Sequence, residues 1–510
     1  MSNDFLRPLA VVGLSEPYVR DLLVASYESV PGRWKVIVLA DTETDLVTLV
    51  TNKVQEHAKA CEKANGATLD PAVRRVHLWL EYEDVDWDLV QPHHPLASQV
   101  YLNTYCIRKG LIRKAQMAFN IKKYCSKHPT SVLNQTVPDT FIFELDHLDY
   151  LDEALNENYE IAQALEANET VSRESGLTVD AETGNTTQPD APAIQRFILK
   201  PSLTGRGAGI HIFETLPQLE SILGGYFEDS DESDSEDNDD EVSITSDYNN
   251  SSEVDNSPEG AADLLQSLDL SANGAYGATN QGCQIREWVI QRYIDQPLLL
   301  NGHRKFHIRA YVLAVGGVEV FLWEDMLSLF AGYPYHNQDL NDTSAHLTNT
   351  CLQTDRLDFD ETTVIKRFWQ LHEDPDPTLI QHELRRLTKT DLDRVFQQIK
   401  LILRELFDAV TSEMTTFQTR SQSFEMFGFD LLVDNQLQTH LLEANAYPDF
   451  KQTGSQLQDI VQGFFQATVE LVNTRSSSLG GLNTWSSQDT PAAVHKKLHP
   501  VFYKPLMGGT

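Results

Sequence analysis

No part of this 510-residue chain contains a run of apolar residues long enough to cross a membrane. A spanning helix needs about 18 or more consecutive apolar residues, so we expect no transmembrane segment. The start, Met1–Leu6, has no basic n-region and no apolar h-region, which predicts that there is no signal peptide. Both features favour a cytoplasmic protein without a membrane partner.

Paired cysteines are also missing. The chain has five cysteines, none of them in a C-x-x-C pair. An odd number without such spacing argues against a disulfide framework and against a zinc ribbon. A reducing compartment such as the cytoplasm fits this pattern.

Basic residues are scarce: 40 Lys and Arg stand against 75 Asp and Glu, a net charge of −35. This balance argues against nucleic acid as a ligand, since phosphate binding needs a basic face. Neither Lys nor Arg occurs between Arg206 and Arg286, whereas sixteen acids lie from Glu228 to Asp269. Such a segment is too charged and too poor in apolar residues to fold, so we predict a long disordered acidic insertion over residues 226–285.

The first hundred residues read as a small α/β domain. Short apolar runs at Leu9–Val12, Lys35–Leu39 and Val76–Leu80 predict strands, and Glu16–Tyr27 predicts a helix between the first two. The order strand, helix, strand favours a parallel sheet. The following segment, from Tyr101 to about Tyr124, has a helical pattern.

A β-hairpin is predicted at Phe424–Asn445, where two apolar runs flank the polar turn Asp434–Gln436. Glu443 and Asn445 share one face of the second strand because side chains alternate. A turn centred on Asn435 and Gln436 places Asp430 opposite Leu441 and on that same face. Two carboxylates and an amide in an apolar sheet suit Mg²⁺, although each acid alone is more often a solvated strand end.

A second strand alternates strictly. Lys305, His307 and Arg309 share one face, with apolar residues on the other. Cations that face a cleft suit the phosphates of ATP and a developing acyl phosphate. An exposed strand with a solvated basic face explains the spacing equally well.

Two further segments carry weak signals. The strand Trp288–Ile294 could present backbone groups to an adenine edge, but a core strand explains it better. Lys200 follows a strand, Phe197–Leu199, and precedes a glycine-rich loop that would let backbone N–H groups approach phosphate. Alone, this loop is more often a flexible turn.

Together these segments resemble the tubulin–tyrosine ligase family. The similar blocks occur in the family's order and are Leu111–Ala115, Lys200–Pro201, Val289–Leu300, Gly302–Arg309, His346–Gln353 and Phe424–Asn445. The block His346–Gln353 is especially close to the enzyme that gives the family its name.

The resemblance implies a mixed α/β (α+β) protein with an ATP-grasp fold. The implied order is an N-terminal α/β domain (1–100), a central ATP-grasp domain (101–225), the acidic insertion (226–285), a C-terminal ATP-grasp catalytic domain (286–475) and a flexible tail (476–510). It implies an amino acid ligase that uses ATP and Mg²⁺. Carried over by position, the ATP-binding residues are Lys114, Lys200, Gln291, Arg292, Tyr293, Ile294 and Lys305. The metal ligands are Asp430, Glu443 and Asn445, and the candidate catalytic residues are Lys305, His307 and Arg309.

The chain departs from the family pattern at two positions. The family has Asp where this chain has His307, and Arg where it has Leu329. The resemblance implies a monomer that joins a free amino acid, with tyrosine as the first choice, to the C-terminal tail of α-tubulin. The alternatives are a ligase that adds glutamate to a protein side chain, and a non-catalytic protein that binds ATP or tubulin through a degenerate site.

Overall fold

A computed structural model describes residues 7–39, 45–64, 71–175, 194–204, 207–231, 287–349, 361–446, 448–450, 457–476 and 495–504. Within these ranges, no helix has the length and the apolar character that crossing a membrane requires.

The N-terminal sheet is parallel throughout, as the sequence predicts. Its strands are β1 (Leu9–Gly13), β2 (Lys35–Val38), β3 (Val76–Leu80) and β4 (Val100–Leu102), in the order β2-β1-β3-β4. Helices α1 (Pro17–Ser29) and α2 (Leu46–Lys63) follow β1 and β2, respectively. Every residue of β1 and β3 is buried, which is typical of parallel strands covered on both faces.

The helix predicted from Tyr101 begins later than expected. Tyr101 lies in β4, which pairs with β3, and helices start only at α3 (Lys109–Ile112) and α4 (Lys114–Lys127). The prediction was wrong there because the apolar run Val100–Leu102 completes the parallel sheet, and a strand partner is not visible in a local pattern.

A second, antiparallel sheet occupies the middle of the chain. Its strands are β5 (Thr140–Glu144), β6 (Phe197–Pro201), β7 (His211–Phe213) and β8 (Glu287–Arg292), in the order β5-β8-β6-β7. The one-turn helix α5 (Leu133–Thr136) precedes β5 and packs against α4. Three helices share the core of this sheet: α6 (Leu151–Glu157), α7 (Tyr159–Ser175) and α8 (Leu216–Asp231). The predicted disordered insertion overlaps the end of α8, and from residue 232 to 285 it lies outside the described residues.

The largest sheet has eight strands. They are β9 (Leu299–Leu300), β10 (Arg304–Val315), β11 (Glu319–Trp323), β12 (Leu327–Phe330), β13 (Ile365–Arg367), β16 (Phe424–Val433), β17 (Thr439–Ala446) and β18 (Leu498–Tyr503). β10 is its centre and pairs with β9, β11, β12 and β16, always antiparallel. A small separate hairpin consists of β14 (Thr378–Ile380) and β15 (Glu383–Arg385).

Two long helices cover this sheet, one on each face. α11 (Lys389–Thr411) begins with a capping box between Thr388 and Asp391 and buries a stripe at helical spacing against the face that holds Phe306 and Ile308. α12 (Gln458–Ser476) packs on the other face, against Tyr311 and its neighbours. Two short helices, α9 (Thr343–His346) and α10 (Glu361–Val364), complete the described helical elements apart from 3₁₀ turns.

The predicted flexible tail is partly ordered. Strand β18 pairs with β11 over five residue pairs and closes that side of the large sheet. The tail is Ser/Gly-rich at first and then basic and aromatic, and the strand lies in that second part; residues 477–494 lie outside the described residues.

Candidate active site

The polar residues of β10 lie beyond the part of the strand on which α12 packs. Lys305, His307 and Arg309 share the sheet face that carries Tyr311, which packs under α12. The alternating apolar residues, such as Phe306, face α11, as predicted. All three polar side chains are buried, so the alternative of a solvated basic face is excluded. Buried cations need partners or ligands, and this face supplies them.

The predicted hairpin forms β16 and β17, but its register differs from the prediction. Leu431 lies opposite Leu441, and a bulge then places Asp430 opposite Glu443 rather than opposite Leu441. The turn has five residues, 434–438, rather than two central residues. The extra residue of the bulge, which no sequence pattern announces, brings the two carboxylates directly together.

Arg309 and Asp430 form the strongest pair of the site. They are cross-strand partners, and the guanidinium donates two hydrogen bonds to the carboxylate, from Nε at 2.5 Å and from Nη2 at 3.1 Å. Burial alone raises the pKa of Asp430, but the charge of Arg309 outweighs it and lowers that pKa below its usual value. The carboxylate therefore stays ionised in a buried position.

The predicted metal ligands converge. The Asn445 amide nitrogen lies 3.4 Å from an oxygen of Asp430 and 3.4 Å from an oxygen of Glu443. Rotation of the amide turns its oxygen to the same point, so two carboxylates and one carbonyl oxygen can face one cation. Hard oxygen donors of this kind fit Mg²⁺ that also keeps phosphate and water ligands. Among the described residues, no three His, Cys, Asp or Glu side chains form a complete metal cage.

His307 lies between the two cations of its strand. Its Nδ1 is 2.6 Å from the Thr348 hydroxyl, and its Nε2 is 3.6 Å from Asp430 Oδ1. Burial lowers the pKa of the imidazole, which favours its neutral form. Across the sheet it faces Leu329, which is also buried.

Two buried lysines face the site without a carboxylate partner among the described residues. Lys200 Nζ donates to Gln291 Oε1 at 2.8 Å, and Lys305 Nζ donates to the Tyr293 hydroxyl at 2.9 Å. Burial lowers the pKa of Lys200 to about 8. Burial and the charge of Lys200 lower the pKa of Lys305 to about 7. Two desolvated ammonium groups of this kind favour the binding of an anion, which stabilises their charged form.

The residues predicted around adenine take different positions. The Gln291 side chain is buried and bridges Lys200 to Thr140, and the Tyr293 hydroxyl contacts Lys305 and His346. Arg292 is exposed and donates to Gln195, while Ile294 is half-buried just beyond β8. The structure thus directs Gln291 and Tyr293 toward the lysines and leaves Arg292 at the surface.

Lys114 joins the glycine-rich loop to the hairpin. Its Nζ donates to the Thr204 carbonyl at 2.6 Å and lies 3.6 Å from Glu443 Oε2. The Ser202 hydroxyl accepts from the Ala115 N–H, so the loop caps the start of α4. Lys114 therefore lies beside the predicted metal site, whereas Gly205 and Arg206 fall outside the described residues.

Three contacts of the site were not predicted. They are the bond of Thr348 to His307, the bond of Thr140 to Gln291 and the ion pair of Arg309 with Asp430. The first two threonines carry no local signal. The ion pair could be suspected from charge, but its partners lie 121 residues apart, and only the pairing of β10 with β16 brings them together.

Comparison with known proteins gives a consistent result. Residues 100–478 match the family model described as "Tubulin-tyrosine ligase family". A probable tubulin–tyrosine ligase of Schizosaccharomyces pombe is 35% identical over 397 residues, which cover 77% of this chain and 81% of that protein. A probable tubulin–tyrosine ligase of Saccharomyces cerevisiae is 31% identical over 437 residues, 83% of this chain, but the match spans only 48% of that longer protein.

More distant likenesses also occur. A probable tubulin polyglutamylase of Bos taurus is 26% identical over 200 residues, 38% of this chain and 41% of that protein. Among solved structures, the C-terminal domain of Pby1 from K. lactis, described as an ATP-grasp enzyme interacting with the mRNA decapping enzyme Dcp2, matches with a TM-score of 0.55 and 24% identity. That match covers 98% of this chain and 99% of the other.

Proposed function

This chain belongs to the tubulin–tyrosine ligase family and has an ATP-grasp fold, and on that premise we propose that it is an ATP-dependent ligase that joins tyrosine to the C-terminal carboxylate of α-tubulin. The bond formed is an amide between the acceptor carboxyl group and the amine of the amino acid. ATP transfers its terminal phosphoryl group to the acceptor carboxylate, which gives an acyl phosphate and ADP. The amine of the amino acid then attacks the acyl carbon and displaces inorganic phosphate.

The observation that carries this proposal is the buried juxtaposition of unpaired lysines and converging carboxylates. Lys200 and Lys305 are buried without a carboxylate partner among the described residues, and Asp430 and Glu443 converge near enough for their charges to act on Lys200. Keeping ammonium groups desolvated costs free energy, which a polyphosphate would offset. Carboxylates beside a polyphosphate require a divalent cation between them, and Mg²⁺ fits the donors present.

The residues predicted to bind phosphate and metal then have the following chemical roles. Lys114, Lys200 and Lys305 hold phosphate oxygens and neutralise charge as the phosphoryl group moves. Arg309 keeps Asp430 ionised and adds positive charge where the acceptor carboxylate must lie. Glu443 with Asn445 completes the cation site.

Tyrosine is the first choice because the relatives that match most of the chain are called probable tubulin–tyrosine ligases. The polyglutamylase likeness is weaker and covers 38% of the chain, so glutamate added to a protein side chain is the second choice. A non-catalytic protein that binds ATP or tubulin is the third, and it gains support from the two family departures at His307 and Leu329. Retention of Asp430, Glu443 and Asn445 around one point speaks against it.

We place the protein in the cytoplasm as a monomer, in line with its reducing-compartment cysteine pattern. Tubulin is the first acceptor to test, because both probable ligases carry it in their names. The K. lactis Pby1 domain is described as interacting with the decapping enzyme Dcp2, so Dcp2 is a second acceptor to include in an assay.

The test is incorporation of labelled tyrosine, and separately of labelled glutamate, into detyrosinated tubulin with Mg²⁺ and ATP. We expect incorporation of tyrosine that requires detyrosinated tubulin, Mg²⁺ and ATP. The control variant is Glu443→Gln, which removes one predicted metal ligand while keeping the side-chain shape. Incorporation that persists at full rate in Glu443→Gln would contradict the assigned site.

Absence of incorporation has a separate meaning. If nucleotide binding that depends on Mg²⁺ remains intact, the ATP site stands and the acceptor is a different protein or no acceptor exists. If nucleotide binding is absent as well, the proposal is wrong at its first step.

A further inference from the structure

The two ring nitrogens of His307 have different surroundings. Nδ1 lies 2.6 Å from the Thr348 hydroxyl, and the side chain is 3% exposed. Nε2 has no hydrogen-bond partner among the described residues, and its nearest charged neighbour is Asp430 Oδ1 at 3.6 Å. That distance is too long for a hydrogen bond but short enough for a small movement to close it.

Engagement of Asp430 requires one particular tautomer of His307. An ionised carboxylate only accepts hydrogen bonds, so Nε2 can engage Asp430 only as a donor. In the tautomer with its proton on Nε2, Nδ1 is an acceptor, and the Thr348 hydroxyl donates to it. The directional chain runs from Thr348 through His307 to Asp430.

The two oxygens of Asp430 have different surroundings. Oδ1 accepts from Arg309 Nε at 2.5 Å and faces His307, whereas Oδ2 lies nearer Asn445, at 3.4 Å from its amide nitrogen. Arg309 Nη2 also reaches Oδ2, at 3.1 Å. The carboxylate is therefore anchored from β10 and presents its second oxygen toward β17.

We propose that His307 is a positioning residue for the divalent cation site: its Nε2–H holds Oδ1 of Asp430 so that the other oxygen faces the cation together with Glu443 and Asn445. The inference rests on the cation site of the proposed function. A second donor behind a ligand carboxylate orients it and raises metal affinity.

The neighbourhood of His307 suits this role. Leu329, directly across the sheet, is aliphatic and buried, so β12 brings no charge to the ring. Thr348 offers one hydroxyl, which is enough to set the ring orientation. A residue that only filled space would need neither the bond to the Thr348 hydroxyl nor an N–H group directed at Asp430.

The test measures binding of Mn²⁺, as a spectroscopic substitute for Mg²⁺, by electron paramagnetic resonance in the presence of a non-hydrolysable ATP analogue. We expect His307→Leu to weaken Mn²⁺ binding by roughly 10- to 100-fold, the range found for removed outer-shell partners. His307→Gln keeps an N–H donor and should restore most of the affinity. Thr348→Val frees the ring and should weaken binding in the same direction, by a smaller factor.

The matched control is Thr411→Val, which removes another buried threonine hydroxyl, one that bonds the Phe407 carbonyl in α11 far from the site. It should leave Mn²⁺ affinity unchanged. Unchanged affinity in His307→Leu, or equal losses in His307→Leu and His307→Gln, would overturn the positioning role. Wild-type protein that binds no Mn²⁺ would also overturn it, because Asp430 would then hold no cation.

A second readout needs neither metal nor activity. In protein labelled with ¹⁵N-histidine, the nitrogen shifts of His307, assigned with the His307→Gln variant, report its tautomer. We expect the Nε2–H form, and the Nδ1–H form would overturn the proposal. Mn²⁺ binding that follows the expected pattern without any amino acid incorporation would leave the positioning role intact and reject only the proposed ligation.

Discussion

His307 and Leu329 lie directly opposite each other on β10 and β12, so the two departures from the family pattern form a single cross-strand pair. The resemblance to the family implies Asp and Arg at these positions, whereas this chain has an imidazole and an aliphatic side chain. A carboxylate and a guanidinium sum to zero charge, as do a neutral imidazole and a leucine. Relative to that pattern, this pair differs in hydrogen bonding and shape but has the same net charge near Lys200 and Lys305.

This pairing predicts that the two positions are coupled. His307→Asp adds a second carboxylate close to Asp430, and Leu329→Arg buries a cation, so each single variant should lose about 2 to 4 kcal/mol of unfolding free energy. The double variant places opposite charges on facing residues and should recover about 1 to 3 kcal/mol relative to the sum of the singles. Chemical denaturation of the four proteins measures the coupling.

Additive losses in that cycle would show that the side chains do not meet. The same four proteins should be assayed for tyrosine and glutamate incorporation. Recovery of stability without recovery of activity would show that the uncharged pair itself serves the reaction of this protein.

The buried lysines predict opposite pH trends for stability and for nucleotide binding. Their folded-state pKa values, about 7 for Lys305 and about 8 for Lys200, lie below the unfolded value of about 10.4. The unfolded state then binds more protons, so the stability of the free protein should rise as pH increases from about 7 toward 10. ATP favours the protonated lysines, so nucleotide affinity should fall over the lower part of that range.

Calorimetry in buffers of different ionisation enthalpy should detect proton uptake on nucleotide binding at pH 8. Lys305→Met should remove most of that uptake and weaken binding at least tenfold. The exposed residue Lys389, at the start of α11, provides the control: Lys389→Met should change neither quantity. Proton release on binding would contradict the assigned pKa directions.

The two acids of the predicted cation site, Asp430 and Glu443, should differ in how much their substitution lowers the free energy of unfolding. Asp430→Asn breaks a buried pair with Arg309 and leaves that cation without its charged partner, which should cost about 3 kcal/mol or more. Glu443 is only partly buried and is reached by Lys114 at 3.6 Å, so Glu443→Gln should cost less than about 1 kcal/mol. Thermal unfolding of the two variants, alongside wild type, tests this order. Equal destabilisation would mean that the Arg309 pair is not the main anchor.

A pH dependence below neutrality is expected from Glu425. This acid accepts from the Tyr105 N–H and pairs with Arg108 at 2.8 Å, yet burial raises its pKa to about 7 despite that partner. The folded state therefore holds the proton more tightly than the unfolded state, and the stability gained from this is present below about pH 4.3 and lost as pH rises through 7. The free energy of unfolding of wild type, taken relative to that of Glu425→Gln, should fall over that window. A relative stability of wild type that rises with pH would reverse the assigned direction.

The acidic segment is predicted to be dispensable for nucleotide binding. Helix α8 ends at Asp231 and β8 begins at Glu287, so residues 236–282 can be replaced by a linker of about ten Gly and Ser residues without cutting either element. Loop closure depends weakly on length, and we expect ATP affinity within about twofold of wild type. Loss of binding, with unfolding cooperativity retained, would assign the segment to the site.

The sequence alone determined the periodic features of this protein. The alternation of Lys305, His307 and Arg309 with apolar residues placed one polar face on β10, and two apolar runs around a polar turn predicted β16 and β17. The order of strands and helices predicted the parallel N-terminal sheet. These predictions hold because side-chain alternation and helix periodicity are local properties that the chain cannot change without losing its buried face.

Only the tertiary structure determined which of these residues are in contact. Arg309 and Asp430 became partners because β10 pairs with β16, and Asp430 met Glu443 because of a bulge that shifted the predicted register. The pairing of β10 with β12 placed His307 opposite Leu329, two positions that the sequence shows only as separate. Strand pairing and bulges depend on contacts between residues far apart in the chain, so local composition does not predict them.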